Sequence, residues 1–285
     1  MTSVRKQTWD GPSQRVDTAL AELGLARSRN HAASLVRYQR VRIGNKLAKK
    51  PSQTVPSGSV VTLLGGVDYV SRSAVKLVAA LQRFAPRLKV ADKLALDVGA
   101  STGGFTQVLL EAGAREVIAL DVGHGQLDPL LRNDPRVRVV EGCNARYLDR
   151  ETLTEVSGTD APVDVVVGDV SFISLTKILP ALAAISHPGT QCALLVKPQF
   201  EVGKETVHNG VVRSRKAHAD ALTKVIAAAL TQGFYTIDIT VSPIEGSYGN
   251  REFLIHLARE SQSDRSQWKA QIAERVQEIT EGSGT

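Results

Sequence analysis

The chain has 285 residues, of which 42% are apolar and 22% charged, enough for about two globular domains and unlike disordered, collagenous or coiled-coil sequences. No apolar run reaches the ~18 residues of a membrane span, and the first thirty residues lack the apolar core of a signal peptide. Cys143 and Cys192 stand far apart in apolar, strand-like surroundings, which excludes a disulfide framework and a cysteine-built zinc site and predicts a reducing, cytoplasmic setting. The net charge of +6 is uneven. Residues 1–66 carry 11 basic and three acidic side chains, whereas residues 67–285 carry 24 basic and 26 acidic ones. A basic module joined to a nearly neutral one points to a polyanionic partner held by the first piece.

Residues 1–14 are polar, contain Gly11-Pro12 and show no periodicity, so they read as a flexible tail. From Arg15 the pattern turns helical through Val16, Ala19, Leu20 and Leu23, and Gly24 ends it. Ser28 is placed to cap a second helix whose apolar side is Ala32, Ala33, Leu35 and Val36. A short strand at Val41–Gly44 and a last one at Val60–Leu64 complete a small α+β unit over 15–66. Arg15, Arg27, Arg29, Arg42 and Lys46 lie at its helix ends and first strand, suited to phosphate contacts on folded RNA. The stretches Arg15-Val-Asp17-x-x-Leu20, Leu25-Ala-Arg27-Ser28-Arg29 and Val41-Arg42-Ile43-Gly44 resemble the RNA-binding domain of the ribosomal protein S-four type. That resemblance implies structured, ribosomal RNA as the partner.

Gly65-Gly66 ends this unit and residues 67–70 read as a linker. Ser71 is placed to cap the next helix, with Val75, Leu77, Val78 and Leu81 facing inward and Lys76 on another side. Strand patterns follow at Leu94–Val98, Glu116–Leu120, Val137–Val140, Val163–Gly168, Cys192–Val196, Tyr235–Thr240 and Glu252–Leu257, with helical stretches between most of them. The alternation predicts an α/β doubly wound, mostly parallel sheet over 71–260, the last two strands forming an antiparallel pair at its end. Seven strands so arranged resemble the class I (Rossmann-like) methyltransferase fold.

The first of these strands runs into Asp97-Val-Gly99-Ala-Ser101-Thr-Gly103-Gly104-Phe105. Small residues there let backbone approach a ligand, and the following helix offers its N–H groups. Ser101 stands where the dinucleotide pattern has its second glycine, which favours a nucleoside with a small charged tail over a pyrophosphate. Asp121, 24 residues after Asp97, is placed to accept ribose hydroxyls, and Asn144 to meet an adenine edge. Together these look like a site for S-adenosyl-L-methionine, although turn formation alone would also account for the glycines. Gly99-Ala-Ser101-Thr-Gly103 also satisfies the hydrolase nucleophile elbow, but no strand or oxyanion loop precedes it.

Asp169 and Lys197 end two apolar strands, where an open α/β sheet places its active site, and are expected to pair. Glu252 opens the last strand and Lys76 precedes the first. A Lys–Asp–Lys–Glu set of this kind resembles that of FtsJ-like RNA ribose methyltransferases. It suggests Lys197 as a base of lowered pKa, Asp169 orienting it, and Lys76 with Glu252 holding the nucleotide, with no metal required. A plain salt bridge at strand ends would use the same residues.

Tyr69-Val-Ser71-Arg72, Lys76-Leu77, the 97–106 run, Asp121-Val-Gly-His-Gly-Gln-Leu127, Asn144-Ala-Arg146, Asp169-Val-Ser-Phe-Ile-Ser-Leu175 and Val196-Lys-Pro-Gln-Phe-Glu201 resemble the TlyA (haemolysin A) family. The resemblance implies 2′-O-methylation of cytidine in 16S and 23S rRNA, with ribosomal subunits as partners; a monomer is expected, and the want of a leader and of a membrane segment argues against stable membrane association. Ser73-Ala74 and His124 depart from the family pattern. Two other classes stay open at this point: a catalytically silent assembly factor and a membrane-acting haemolysin. Residues 201–216, with Gly203, Lys204, Gly210, Arg213 and Arg215, suit either a mobile lid or a plain surface loop. Over 261–285, Trp268, Ile272, Val276 and Ile279 recur at helical spacing before a polar tail.

Overall fold

The computed structural model describes residues 4–37, 40–64, 69–259 and 265–281. The Gly-Gly end of the first module, residues 67 and 68 of the linker and the last four residues lie outside them. The chain divides into two units, Met1–Arg72 and Ser73–Thr285.

The first unit contains β1 (Arg5–Trp9), β2 (Gln14–Arg15), α1 (Val16–Glu22), α2 (Arg29–Arg37), β3 (Val41–Ile43), β4 (Lys46–Leu47), β5 (Thr54–Val55) and β6 (Ser59–Leu63). A four-stranded sheet in the order β1-β6-β3-β4 packs with both helices over a core that includes Val16, Leu20, Leu25, Leu35, Val41, Val61 and Leu63. Gly24, at φ +65°, turns the chain out of α1, and the Ser28 hydroxyl accepts the His31 N–H at the start of α2. The tail expected over 1–14 is corrected: Arg5–Trp9 is an antiparallel edge strand on β6, with Arg5 opposite Leu63 and Trp9 opposite Ser59. Its side chains are exposed except for Trp9. It therefore lacks the alternation that betrays a strand, and backbone pairing with β6 holds it.

The second unit contains α3 (Ala74–Phe84), β7 (Leu94–Val98), α4 (Gly104–Glu111), β8 (Glu116–Leu120), α5 (Pro129–Arg132), β9 (Val137–Val140), α6 (Arg150–Ser157), β10 (Val163–Gly168), α7 (Leu179–Ile185), β11 (Ser186–Val196), α8 (Pro198–Glu201), α9 (Arg215–Thr231), β12 (Tyr235–Val241), β13 (Phe253–Ala258) and α10 (Arg265–Glu281). Its seven strands run in the order β12-β13-β11-β10-β7-β8-β9. The five from β7 to β11 are parallel, and β13 is antiparallel to both β11 and β12. Strand order reverses between β7 and β10, and a crevice at the carboxyl ends there is the expected ligand site.

Several local expectations are revised. The helix after the linker starts at Ala74 with Ser73, rather than Ser71, at its N-cap. Its buried side is Ala74, Leu77, Ala80 and Phe84, and Lys76 is buried too, while Val75, Val78 and Leu81 are only half-covered. β11 begins at Ser186, six residues before the apolar run, because the buried Thr190 hydroxyl donates to Val163 O and ties that polar stretch to β10. The 201–216 segment is anchored in its second half. Asn250 accepts the Val212 N–H and donates to Gly210 O, and the His218 ring bonds Val212 O. The C-terminal helix, whose apolar spacing suits packing, belongs to the core of this unit. Trp268, Ile272, Val276 and Ile279 join the cluster that includes Ile239 and Phe253.

Candidate active site

β7 ends in a loop that Gly99 brings close to the next strand. At φ +80° its backbone is left-handed, and a Cβ there would stand 3.2 Å from Asp169 O. Gly99 N and Ala100 N both donate to Leu120 O, so the loop is bound to the end of β8. Asp121, the first residue after β8, accepts the Ser101 N–H at 2.8 Å and the Gly123 N–H at 2.7 Å. After β9, Asn144 accepts the Arg146 N–H with its side-chain oxygen, which leaves the two donors of its amide NH₂ for other partners. These ends, with Asp169, Val170, Ser171, Phe172 and Ile173 after β10, line a cavity of about 360 Å³.

Of the residues expected to hold a donor, Gly99, Ser101, Asp121, Asn144 and Asp169 line this cavity, whereas Asp97, Gly103, Gly104 and Phe105 do not. Gly103 caps α4 and packs under Leu127 and Leu131, and Gly104 and Phe105 are buried in the first turn of that helix. Asp97 is fully buried beneath the loop, where Thr106 donates to its Oδ2 at 2.7 Å and its Oδ1 has no partner. Burial pushes its carboxyl up to about 7, against the pull of the Thr106 bonds. His124 is exposed and sits against Gly142, away from the cavity. Gln126, whose side-chain oxygen accepts from the Ser101 hydroxyl, lines the cavity; it stands in the 121–127 run but is not among the expected site residues.

Beside this cavity the four charged residues meet. Lys197 Nζ lies 2.6 Å from Asp169 Oδ1, Lys76 Nζ lies 3.3 Å from Asp169 Oδ2, and Lys76 Nζ lies 2.7 Å from Glu252 Oε2. The order is Glu252–Lys76–Asp169–Lys197, two ammoniums alternating with two carboxylates, so the buried set is formally neutral. Neutrality and mutual hydrogen bonding are what make burial of four charges tolerable. Burial alone would raise the Asp169 carboxyl, but the adjacent Lys197 and Lys76 ammoniums outweigh it and hold the group below its ordinary range. Gly246 closes over the far end: a Cβ there would overlap the Glu252 carboxylate. Lys76 and Glu252, expected to hold the nucleotide, are both buried, and Lys76 links Glu252 to Asp169. Lys197 also donates to Ser171 Oγ at 2.7 Å, a partner that sequence reasoning missed although it stands two residues after Asp169.

Phe172 follows at φ +64° and is 92% exposed, its ring 5.4 Å from that of Phe200. In the first unit, Arg27, Arg29, Arg42 and Lys46 are exposed. Arg15 is exposed as well and pairs with Asp17, through Nε at 3.0 Å and the terminal nitrogen at 2.6 Å, and that bond holds the Asp17 carboxyl below its ordinary range.

A seven-stranded sheet with this crevice and no pyrophosphate loop defines a methyltransferase of the Rossmann-like class. The FtsJ-like methyltransferase model matches residues 69–259 and the S4 domain model residues 14–61. The 16S/23S rRNA (cytidine-2′-O)-methyltransferase TlyA of Mycobacterium tuberculosis is 44% identical over 88% of this chain and 91% of its own. Hemolysin A of Brachyspira hyodysenteriae is 35% identical over 85% of this chain and 98% of its own. The solved structure of a protein described as a hemolysin from Streptococcus thermophilus superposes with a TM-score of 0.71, at 38% identity and 95% coverage of both chains. The chain therefore belongs to the TlyA (haemolysin A) family of FtsJ-like methyltransferases, and it carries an S4 domain ahead of the catalytic unit. It is an enzyme whose methyl donor is S-adenosyl-L-methionine. Among the described residues, no helix is long and apolar enough to cross a membrane.

Proposed function

We propose that this enzyme methylates the ribose 2′-hydroxyl of cytidine in ribosomal RNA, in the cytoplasm and as a monomer, with the S4 unit gripping the RNA. The observation that carries the reading is the Glu252–Lys76–Asp169–Lys197 chain, whose Asp169 belongs at once to the charge set and to the wall of the cavity. The cavity fits the donor. Asp121 has a second lone pair on each oxygen for ribose hydroxyls, and the Asn144 amide can meet an adenine edge. The unpartnered Asp97 Oδ1 leaves a buried acceptor behind the loop, favourable to the cationic end of the donor. When bound, S-adenosylmethionine supplies an electrophilic methyl group.

Acting from its neutral amine form, Lys197 takes the proton from the attacking 2′-hydroxyl and becomes the ammonium, while Asp169 and Ser171 fix its Nζ by two short contacts. Lys76, itself held by Glu252, fixes the other oxygen of Asp169. The exposed Phe172 ring at the mouth offers a face on which a base drawn out of the RNA can stack. In the first unit, Arg27, Arg29, Arg42 and Lys46 supply phosphate contacts.

The test is to incubate unmodified ribosomal subunits with donor carrying a labelled methyl group and to map the label. The expected result is label on the 2′-oxygen of cytidine. Label on a base would sink the ribose assignment. No label on either subunit would leave the chain an RNA-binding assembly factor.

A further inference from the structure

Resting on that reading of Lys197 and Asp169, we propose that Glu201 is a positioning residue that sets the loop between β10 and α7 for methyl transfer. The loop leaves β10 at Asp169 and stays irregular until the single turn at Leu175–Lys177. It supplies five consecutive residues, 169–173, to the cavity wall. The segment 197–201 grips it at three successive points. Lys197 holds Asp169 and Ser171 at the front, and the Phe200 ring lies against Phe172 in the middle. Glu201 holds the back: its Oε1 accepts the Leu175 N–H at 2.7 Å, and its Oε2 accepts the Ser174 hydroxyl.

Glu201 is 2% exposed, so neither RNA nor donor reaches its carboxylate. Burial raises that carboxyl, and the Ser174 and Leu175 bonds pull against the rise. Its backbone is fastened in turn, since Lys224 of α9 donates to Glu201 O. The Leu175 N–H is buried with it, so removing the carboxylate strands a donor and releases the back of the loop. The front is then held through Asp169, by Lys197 and Lys76 and by its N–H to Val98 O, and through Ser171 by Lys197, the group that has to be kept in place. Glu201 thus acts through the loop on two things at once, the wall of the donor cavity and the pair of contacts on Lys197 Nζ.

The test is steady-state methyl transfer to ribosomal subunits at varied donor concentration by E201A, E201Q, S174A and K197A. E201A is expected to raise KM for the donor and to lower kcat, each by roughly tenfold, because small misplacements of reacting groups are costly. E201Q should recover to within about threefold of the parent, since its amide oxygen can accept from Leu175 and its NH₂ can donate to Ser174. S174A, which leaves Glu201 intact, should show a smaller rise in KM and carries the test with E201Q if E201A does not fold. The proposal is overturned if E201A or S174A keeps the parental KM, since loss of folded protein alone would lower only the apparent kcat. It is equally overturned if E201Q is as damaged as E201A. An active K197A would instead remove the reading of the charged set, whatever E201A does.

Discussion

The two sides of the strand-order switch build their surfaces in opposite ways. On the β7–β9 side, backbone does the work: N–H groups of Ser101 and Gly123 fix Asp121, and the Arg146 N–H fixes Asn144. On the β10–β13 side, four charged side chains bury one another and backbone takes little part. The first surface is intolerant of an added Cβ at Gly99 yet open to solvent, as a site that exchanges a donor must be. The second is intolerant of any change in charge, because its neutrality depends on all four members.

The contrast breaks most sharply at Lys197. K197A should lower the transfer rate by roughly 10²–10⁴, the usual contribution of a general base, while donor affinity in calorimetry stays within about twofold. Loss of donor binding in that variant would show the two surfaces to be one. E252A should cost about 3–5 kcal/mol of stability, because it leaves Lys76 buried against a half-share of Asp169. An unchanged unfolding midpoint in denaturant would refute the neutral-set argument.

A pH dependence tests the support under the charged side. His256 of β13 stacks on Phe84 at the end of α3, the helix that carries Lys76, and donates from Nε2 to Gln191 Oε1. Burial, and secondarily Arg87, lowers its pKa from 6.5 to about 4. Protonation therefore favours the unfolded chain, and stability falls as pH drops from about 6.5 toward 4. The loss attributable to this group approaches about 3 kcal/mol at the acid end. Denaturant unfolding at pH 7.5 and 4.5 should show a smaller drop for H256L than for the parent. The smallest effect is expected on the donor side. D121A should weaken donor binding by about tenfold or more, in keeping with loss of hydrogen bonds to a charged group, and leave kcat at saturating donor within about twofold. A fall in kcat without a change in affinity would reverse the assignment of the two surfaces.

Much of the fold was legible because its signals are local. The apolar runs of β7, β8 and β10 sit within buried parallel strands and announce themselves without neighbours. β1 was not legible, since four of its five side chains face solvent and only the edge of β6 makes it a strand. The polar start of β11 was hidden for a similar reason, its one anchor being a hydroxyl bond to another strand. In the site, Asp121 and Asn144 were legible from their place after strands. Asp97, Gly103, Gly104 and Phe105 belong to the same run but support the loop from below, a distinction of depth that spacing does not carry.

The sequence by itself determined the division into a basic module and a nearly neutral one, the wound sheet, and the residue types needed at its carboxyl ends. These follow from composition and period, which are properties of neighbours along the chain. Only the tertiary structure decided who holds whom. Lys76 and Glu252 are 176 residues apart and meet at 2.7 Å, and Glu201 reaches back to Ser174. A buried charge takes whatever partner the fold brings within hydrogen-bond reach, and that choice is made by packing across the sheet, not by order in the chain.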